Sequence, residues 1–276
     1  MIPKVFLVAV ATIVLATPAG AQLVDPAFPV TDGDVYATAI DGNTLYIGGV
    51  FNFVGPYTGG YVALDGVTGA ANTGWPKVAG VVRTCVSDGA GGWYIGGTFT
   101  SVHGVPRVNL AHILADGSVS PWNPGALGGG PNGYVQSIVV SGSLVYVGGF
   151  FSLVGGQPRL YLAAVDAVTG AATSWNPGAD NSVFSLAVVG STVYAGGFFS
   201  TIGGQPRTGL AAIQASDGVV TAWDPALNMF GSVLSLATSG STLYVGGQFS
   251  TIGGQPRNNL AAIDTGTGLP TVWNPN

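Results

Sequence analysis

The chain has 276 residues, 47% of them hydrophobic and only 7% charged, with a formal net charge of −5. So few basic residues exclude a phosphate-binding surface of clustered Lys and Arg, and with it a nucleic-acid partner. The 46 glycines and 17 prolines sit between short apolar runs, which excludes a helical membrane protein with its ~20-residue apolar spans and points to many short strands joined by tight turns.

From the N-terminus, residues 1–21 read as a secretory signal peptide. Lys4 gives the positive start, Val5 to Ala16 is an apolar run too short to span a bilayer, and Ala19-Gly20-Ala21 is a small-x-small cleavage site. The expected product is a secreted or cell-surface chain beginning at Gln22, with no transmembrane segment in its mature part. All 12 carboxylate side chains are Asp, and Cys85 stands alone, so no intrachain disulfide is expected.

The remainder, 22–276, reads as one domain of five repeats, at about 33–76, 77–123, 124–176, 177–224 and 225–276. Tyrosines fall at Tyr46, Tyr94, Tyr146, Tyr194 and Tyr244, so the period is 48 to 52 residues. Five residues after each comes Phe51, Phe99, Phe151, Phe199 or Phe249. Thirteen after each of the last four comes Arg107, Arg159, Arg207 or Arg257. A tryptophan closes every copy, at Trp75, Trp122, Trp175, Trp223 and Trp273. Helical ankyrin and tetratricopeptide units are shorter, at about 33 and 34 residues, whereas a four-stranded propeller blade takes roughly 40–50.

The fourth copy illustrates the strands. Val183 to Val189 is the first, Val193 to Ser200 the second, Leu210 to Ala215 the third and Val219 to Trp223 the fourth, with Gly-rich or Asp-Gly turns between them. Gly-Gly pairs such as Gly196-Gly197 lie inside each second strand, where they predict close approach of another backbone or sheet. Units of this kind bury their faces only against neighbours, and radial closure satisfies that need. The expected fold is all-β, a β-propeller of four-stranded blades with five repeats present.

The pattern Tyr-x-Gly-Gly-x-Phe-x-x-x-Gly-Gly-x-Pro-Arg-x-x-Leu-Ala-Ala-Ile/Val, followed by Trp-Asn-Pro, resembles the delta-60 type repeat of secreted bacterial β-propellers. The resemblance covers residues 33 to 276. It implies a propeller-like domain of unknown function, and it carries over no catalytic residue. The first copy departs from the pattern, with Pro56-Tyr57-Thr58-Gly59 where the others place the Pro-Arg turn.

Length variation concentrates between each Trp and the next Tyr, at 19, 24, 19 and 21 residues. Insertions gathered on one face often mark a binding face, here Asn123 to Tyr134, Asn176 to Ser182 and Asp224 to Ser232. The candidate ligand-binding residues are therefore Asn123, Asn176, Asp180 and Asp224, together with a ring of donors from Arg107, Arg159, Arg207 and Arg257. The alternative for the arginines is that each ties its turn to the neighbouring blade. Residues repeated in every unit usually serve the repeat, and the tryptophans are read as packing residues on the same ground.

No cofactor is expected. Asp32-Gly33-Asp34 and Asp180-Asn181 offer oxygens of the kind calcium takes, but without an EF-hand pattern their expected role is turn support. Two histidines, His103 and His112, and a single Cys do not make a zinc set, and both histidines read as surface or turn residues. Cys85 aligns with Leu186 and Leu236 and reads as a small core residue. The leading expectation is a secreted, non-enzymatic propeller whose loop-rich face serves as a binding or scaffold module for an extracellular carbohydrate or protein. The alternatives are a polysaccharide hydrolase using Asp residues and a purely structural module of a longer surface protein.

Overall fold

A computed structural model describes residues 31, 33–41, 44–51, 61–65, 67–72, 74–128, 133–228 and 231–275. The signal-peptide expectation, Asp32 and the atypical 56–59 stretch lie outside the described residues.

Among the described residues, five antiparallel meanders follow one another. Their inner, middle and outer strands are Asp34–Asp41, Thr44–Val50 and Tyr61–Asp65; Val78–Ser87, Trp93–Val102 and Leu110–Ile113; Tyr134–Ser141, Leu144–Phe150 and Leu162–Asp166; Val183–Val189, Thr192–Gly197 and Leu210–Gln214; and Ser232–Ser239, Thr242–Gln248 and Leu260–Asp264. No helix is present among the described residues, so none is long and apolar enough to cross a membrane. Inner strands of consecutive sheets pack side by side, and each middle strand packs on the inner strand of the next sheet. This radial series of meanders is a β-propeller.

The expected fourth strand is a correction. In each sheet it shrinks to a single antiparallel bridge: Leu64 with Ala71, Ile113 with Val119, Val165 with Ala172, Ile213 with Val220 and Ile263 with Pro270. One backbone bond then follows, such as Thr221 N–H to the Ala212 carbonyl at 2.9 Å. The chain turns away directly afterwards, because the Thr221 hydroxyl accepts the Trp223 N–H at 3.2 Å. The second strand is also shorter than read: it stops at Gly197, and Thr201–Ile202 pairs instead with Gln205–Pro206 in a small separate hairpin.

The Gly-Gly pairs explain both the bulges and the packing. A Cβ on the second glycine would lie 2.0–2.2 Å from a carbonyl in or just before the inner strand, at Gly97, Gly149, Gly197 and Gly247. There the inner strand bulges, between Val82 and Thr84, Val183 and Ser185, and Val233 and Ser235. The first glycine leaves a hole that a valine of the next sheet fills. A Cβ at Gly96 would meet Val135 at 2.6 Å, one at Gly148 would meet Val183 at 2.8 Å, and one at Gly196 would meet Val233 at 2.5 Å. All three valines are fully buried.

Hydrogen bonds cross the same boundaries. The Tyr94, Tyr146 and Tyr194 hydroxyls donate to the carbonyls of Ala167, Ala215 and Thr265, at 3.0–3.1 Å. The indole N–H of Trp122 donates to Asp166 and that of Trp175 to Gln214, at 3.0 and 2.8 Å. Inner strands are stitched as well: Ser137 Oγ accepts the Leu186 N–H and Ser185 Oγ accepts the Leu236 N–H, both at 3.0 Å. Cys85 holds the Leu186 register, facing Ile95 as Leu186 faces Ala195. Burial pushes its thiol up to about 12, which keeps it protonated and unreactive near neutrality.

If the glycine holes set the spacing between sheets, Gly196→Val should overpack the boundary with Val233. A loss of about 1–3 kcal/mol is expected in urea unfolding, with Val233→Ala in the same chain recovering part of it.

Candidate functional site

The repeated arginines are held by the chain itself. Each guanidinium donates from Nη1 to the carbonyl of its own preceding proline. From Nη2 it donates to a carbonyl of the outer edge of its own sheet: Arg107 to Ser120, Arg159 to Thr173, Arg207 to Thr221 and Arg257 to Thr271. The third nitrogen, Nε, is buried without a partner in all four. The tie expected toward a neighbouring blade therefore runs within one sheet, where it covers the carbonyl that the truncated fourth strand leaves open. As a ring of donors for a ligand, these groups have two of three nitrogens already spent.

The other predicted residues spread over the loop-rich face. Asn123 and Asn176 are exposed. Asp180 accepts from the backbone N–H groups of Ser200 and Thr201 and from the Ser200 hydroxyl, which fixes the loop onto the Thr201–Ile202 hairpin. Partial burial pushes its carboxyl up, but those bonds outweigh it and hold the group below the usual range. Asn228 does the same for the next loop, accepting from Ser250 and Thr251. Asp224 accepts the Ala226 N–H at 2.9 Å and lies 3.7 Å from Arg207. No group of three or more His, Cys, Asp or Glu side chains gathers among the described residues.

Asp224 lines a cleft of about 500 Å³ between the fourth and fifth sheets, with Tyr194, Thr221, Trp223, Thr265 and Thr267. Hydroxyls and one indole dominate its wall.

A second arrangement escaped the sequence reading. Each inner strand carries one residue directly after its knob valine, at the bulge, and this residue never repeats: Tyr36, Arg83, Gln136, Phe184 and Leu234. The valines before them, Val35, Val82, Val135, Val183 and Val233, do not vary. The Arg83 guanidinium stacks over Tyr134 at 4.8 Å and over Tyr36 at 5.6 Å from the ring centroids. Tyr134 stacks on Phe150 at 6.0 Å, and Phe150 lies 5.7 Å from Tyr161. Tyr161 occupies left-handed backbone, φ 63°, where the other sheets place Asn109, Gly209 and Asn259. A bulky residue there is costly, roughly 1–2 kcal/mol. The signal that would have found Tyr36 and Arg83 was the departure from the repeat at one fixed register; Tyr134, Phe150 and Tyr161 lie at other registers.

His112 corrects a simpler reading. It is buried, its Nε2 lies 2.9 Å from Asp88 Oδ2, and its ring stacks on Tyr94 at 4.2 Å. Asp88 also accepts the N–H groups of Ala90 and Gly92. Burial raises its pKa, but the bonds from His112 and the two amides outweigh that and hold it below the ordinary range. His103 is exposed in a turn, as expected.

A family profile described as a domain of unknown function (DUF5122) beta-propeller matches residues 91–119 and 242–263. Both segments run from a middle strand into the outer strand of one sheet. No curated protein matches the sequence. Among solved structures, the extracellular domain of the hybrid two component system BT4673 from B. thetaiotaomicron is similar at 14% identity and a TM-score of 0.53, over 83% of this chain and 27% of that one. The nidogen/laminin complex is similar at 10% identity and a TM-score of 0.51, over 87% of this chain and 80% of that one. BamB from Moraxella catarrhalis aligns at 17% identity and a TM-score of 0.49, and the chain spans 63% of its length. The family profile and the first two of these likenesses support the β-propeller fold and nothing finer.

Asp88 yields an acid-stability prediction. Its pKa is lower folded than unfolded, so its contribution is full above the ordinary carboxylate value of about 3.9 and is lost as pH falls through the folded value. Asp88→Asn should lower the urea midpoint near neutral pH, and the difference from the parent chain should shrink as pH falls through and below the ordinary carboxylate range.

Proposed function

We propose that the chain is an exported, non-enzymatic β-propeller of the delta-60 repeat type, and that it binds an extracellular glycan at the cluster of Tyr36, Arg83 and Tyr134. One observation carries this reading: the inner-strand bulge is the register at which near-identical repeats diverge, and there Arg83 meets Tyr36, with Tyr134 of the next inner strand adding a second aromatic face to the guanidinium. A residue that serves the fold recurs in every sheet; one that serves a ligand need appear only once. Tyrosine faces stack on the apolar faces of sugar rings, and a guanidinium donates to hydroxyls and to carboxylates.

The surroundings suit a ligand. Tyr36 is exposed, and Phe198 and Leu160 lie exposed on the same loop-rich face. Arg83 has one long side-chain bond, from Nε to Thr98 at 3.4 Å, so its two terminal nitrogens remain for a ligand. That distinguishes it from the four repeated arginines. A Tyr161 backbone in strained conformation supports the same place, because strain collects where a side chain is being positioned.

The test is thermal unfolding and calorimetry of the chain with neutral and uronic-acid oligosaccharides. A binding glycan should raise the melting temperature by mass action. Arg83→Ala and Tyr134→Ala should each weaken it at least about tenfold, near 1.4 kcal/mol, while Arg207→Ala changes stability and not affinity. Binding that survives both cluster variants but falls with Asp224→Ala would move the site to the Trp223 cleft. A melt that no oligosaccharide shifts would overturn the glycan reading.

A further inference from the structure

The first and fifth of these sheets carry complementary faces. Within the chain each boundary repeats one pattern: valine into glycine hole, Tyr and Trp donors onto carbonyls, Ser Oγ accepting an inner-strand N–H. At the fifth sheet, among the described residues, the receiving half of that pattern has nothing on it. A Cβ at Gly246 would meet no atom closer than 3.9 Å, against 2.5–2.8 Å at Gly96, Gly148 and Gly196. Leu260 is 39% exposed, whereas its counterparts Leu110, Leu162 and Leu210 are buried. Trp273 is 41% exposed and touches Tyr244 edge-on at 5.5 Å. Among the described residues, neither the Tyr244 hydroxyl nor the Trp273 indole N–H has the acceptor that Tyr194 and Trp175 find in the next sheet. Ser235 stands in the register of Ser137 and Ser185, and among the described residues no inner strand packs against it.

The inserting half is open at the first sheet. Val35 pairs with Gly49 as Val183 pairs with Gly197, which makes it the knob of that sheet. It is 36% exposed while Val82, Val135, Val183 and Val233 are fully buried. Ile40, in the register of Val188, is 74% exposed, and Thr38, in the register of Leu186, is exposed.

We propose that these two faces bind each other between copies: the first sheet of one chain docks on the fifth sheet of another, head to tail. Val35 enters the hole at Gly246, Ser235 Oγ takes the Thr38 N–H, and Trp273 donates to the Asp65 carbonyl, which holds the register of Asp166 and Gln214. The partner is a second copy of this chain because the interface already exists inside it, at the boundaries after the second, third and fourth sheets, and the two halves left over match. The contact is heterologous, so it joins unlike faces and closes a ring or extends a chain according to the rotation it imposes.

Sedimentation velocity from micromolar to submillimolar concentration tests this. The parent chain should form dimers or larger species. Gly246→Trp, which fills the hole, and Val35→Asp, which charges the knob, should each weaken association at least tenfold, with the circular dichroism unchanged. Gly246 has open space around it, so its variant is not expected to disturb its own sheet. Mixing the two variants should restore dimers, since one copy keeps an intact hole and the other an intact knob. A parent chain that stays monomeric throughout overturns the proposal, as does association that both variants leave untouched or that mixing fails to restore.

Discussion

Everything in this structure depends on one steric fit, a valine Cγ seated where a glycine has no Cβ. The hole lets consecutive sheets approach until the middle strand of one rests on the inner strand of the next. Only at that distance do the tyrosine hydroxyl and the indole N–H reach carbonyls some 70 and 40 residues further along. Hydrophobic burial supplies the attraction, about 25 cal/mol per Å². The directional bonds fix the angle between sheets, so a soft contact becomes a defined rotation.

The same economy explains why repeated residues say little about ligands. Tryptophan, tyrosine and the paired glycines recur because they join one sheet to the next, and arginine recurs because it closes its own sheet. The arginines cap an outer edge that a single bridge leaves unfinished. What remains for recognition is the register that the fold leaves unspecified, the bulge residue on each inner strand. Arg83 gains its character there: it is placed like Tyr36 and Gln136, yet it is the one cation among the five.

Much of this was legible before any coordinates. Fixed spacing from Tyr to Phe to Arg to Trp defined the units, and glycine pairs inside strands implied close approach. Two features were not legible. The fourth strand looked like a β-run in sequence, yet its pairing ends after one bridge, because the Thr221 hydroxyl captures the Trp223 N–H and the arginine takes the Thr221 carbonyl. His112 looked solitary, since its partner Asp88 lies 24 residues earlier across a strand pair.

The sequence by itself determined the unit: its period, its three principal strands, its turn chemistry and the residues that join one unit to the next. These are local or strictly periodic properties, and a single chain displays them as spacing. Tertiary structure alone decided which side chains meet. It brought Tyr36, Arg83 and Tyr134 from three inner strands into one cluster, spent the four repeated arginines on main-chain carbonyls, and left Val35 and Gly246 uncovered at opposite ends. Contacts between residues one or more repeats apart depend on the rotation from sheet to sheet. That rotation is the sum of many packed side chains and is written at no one position.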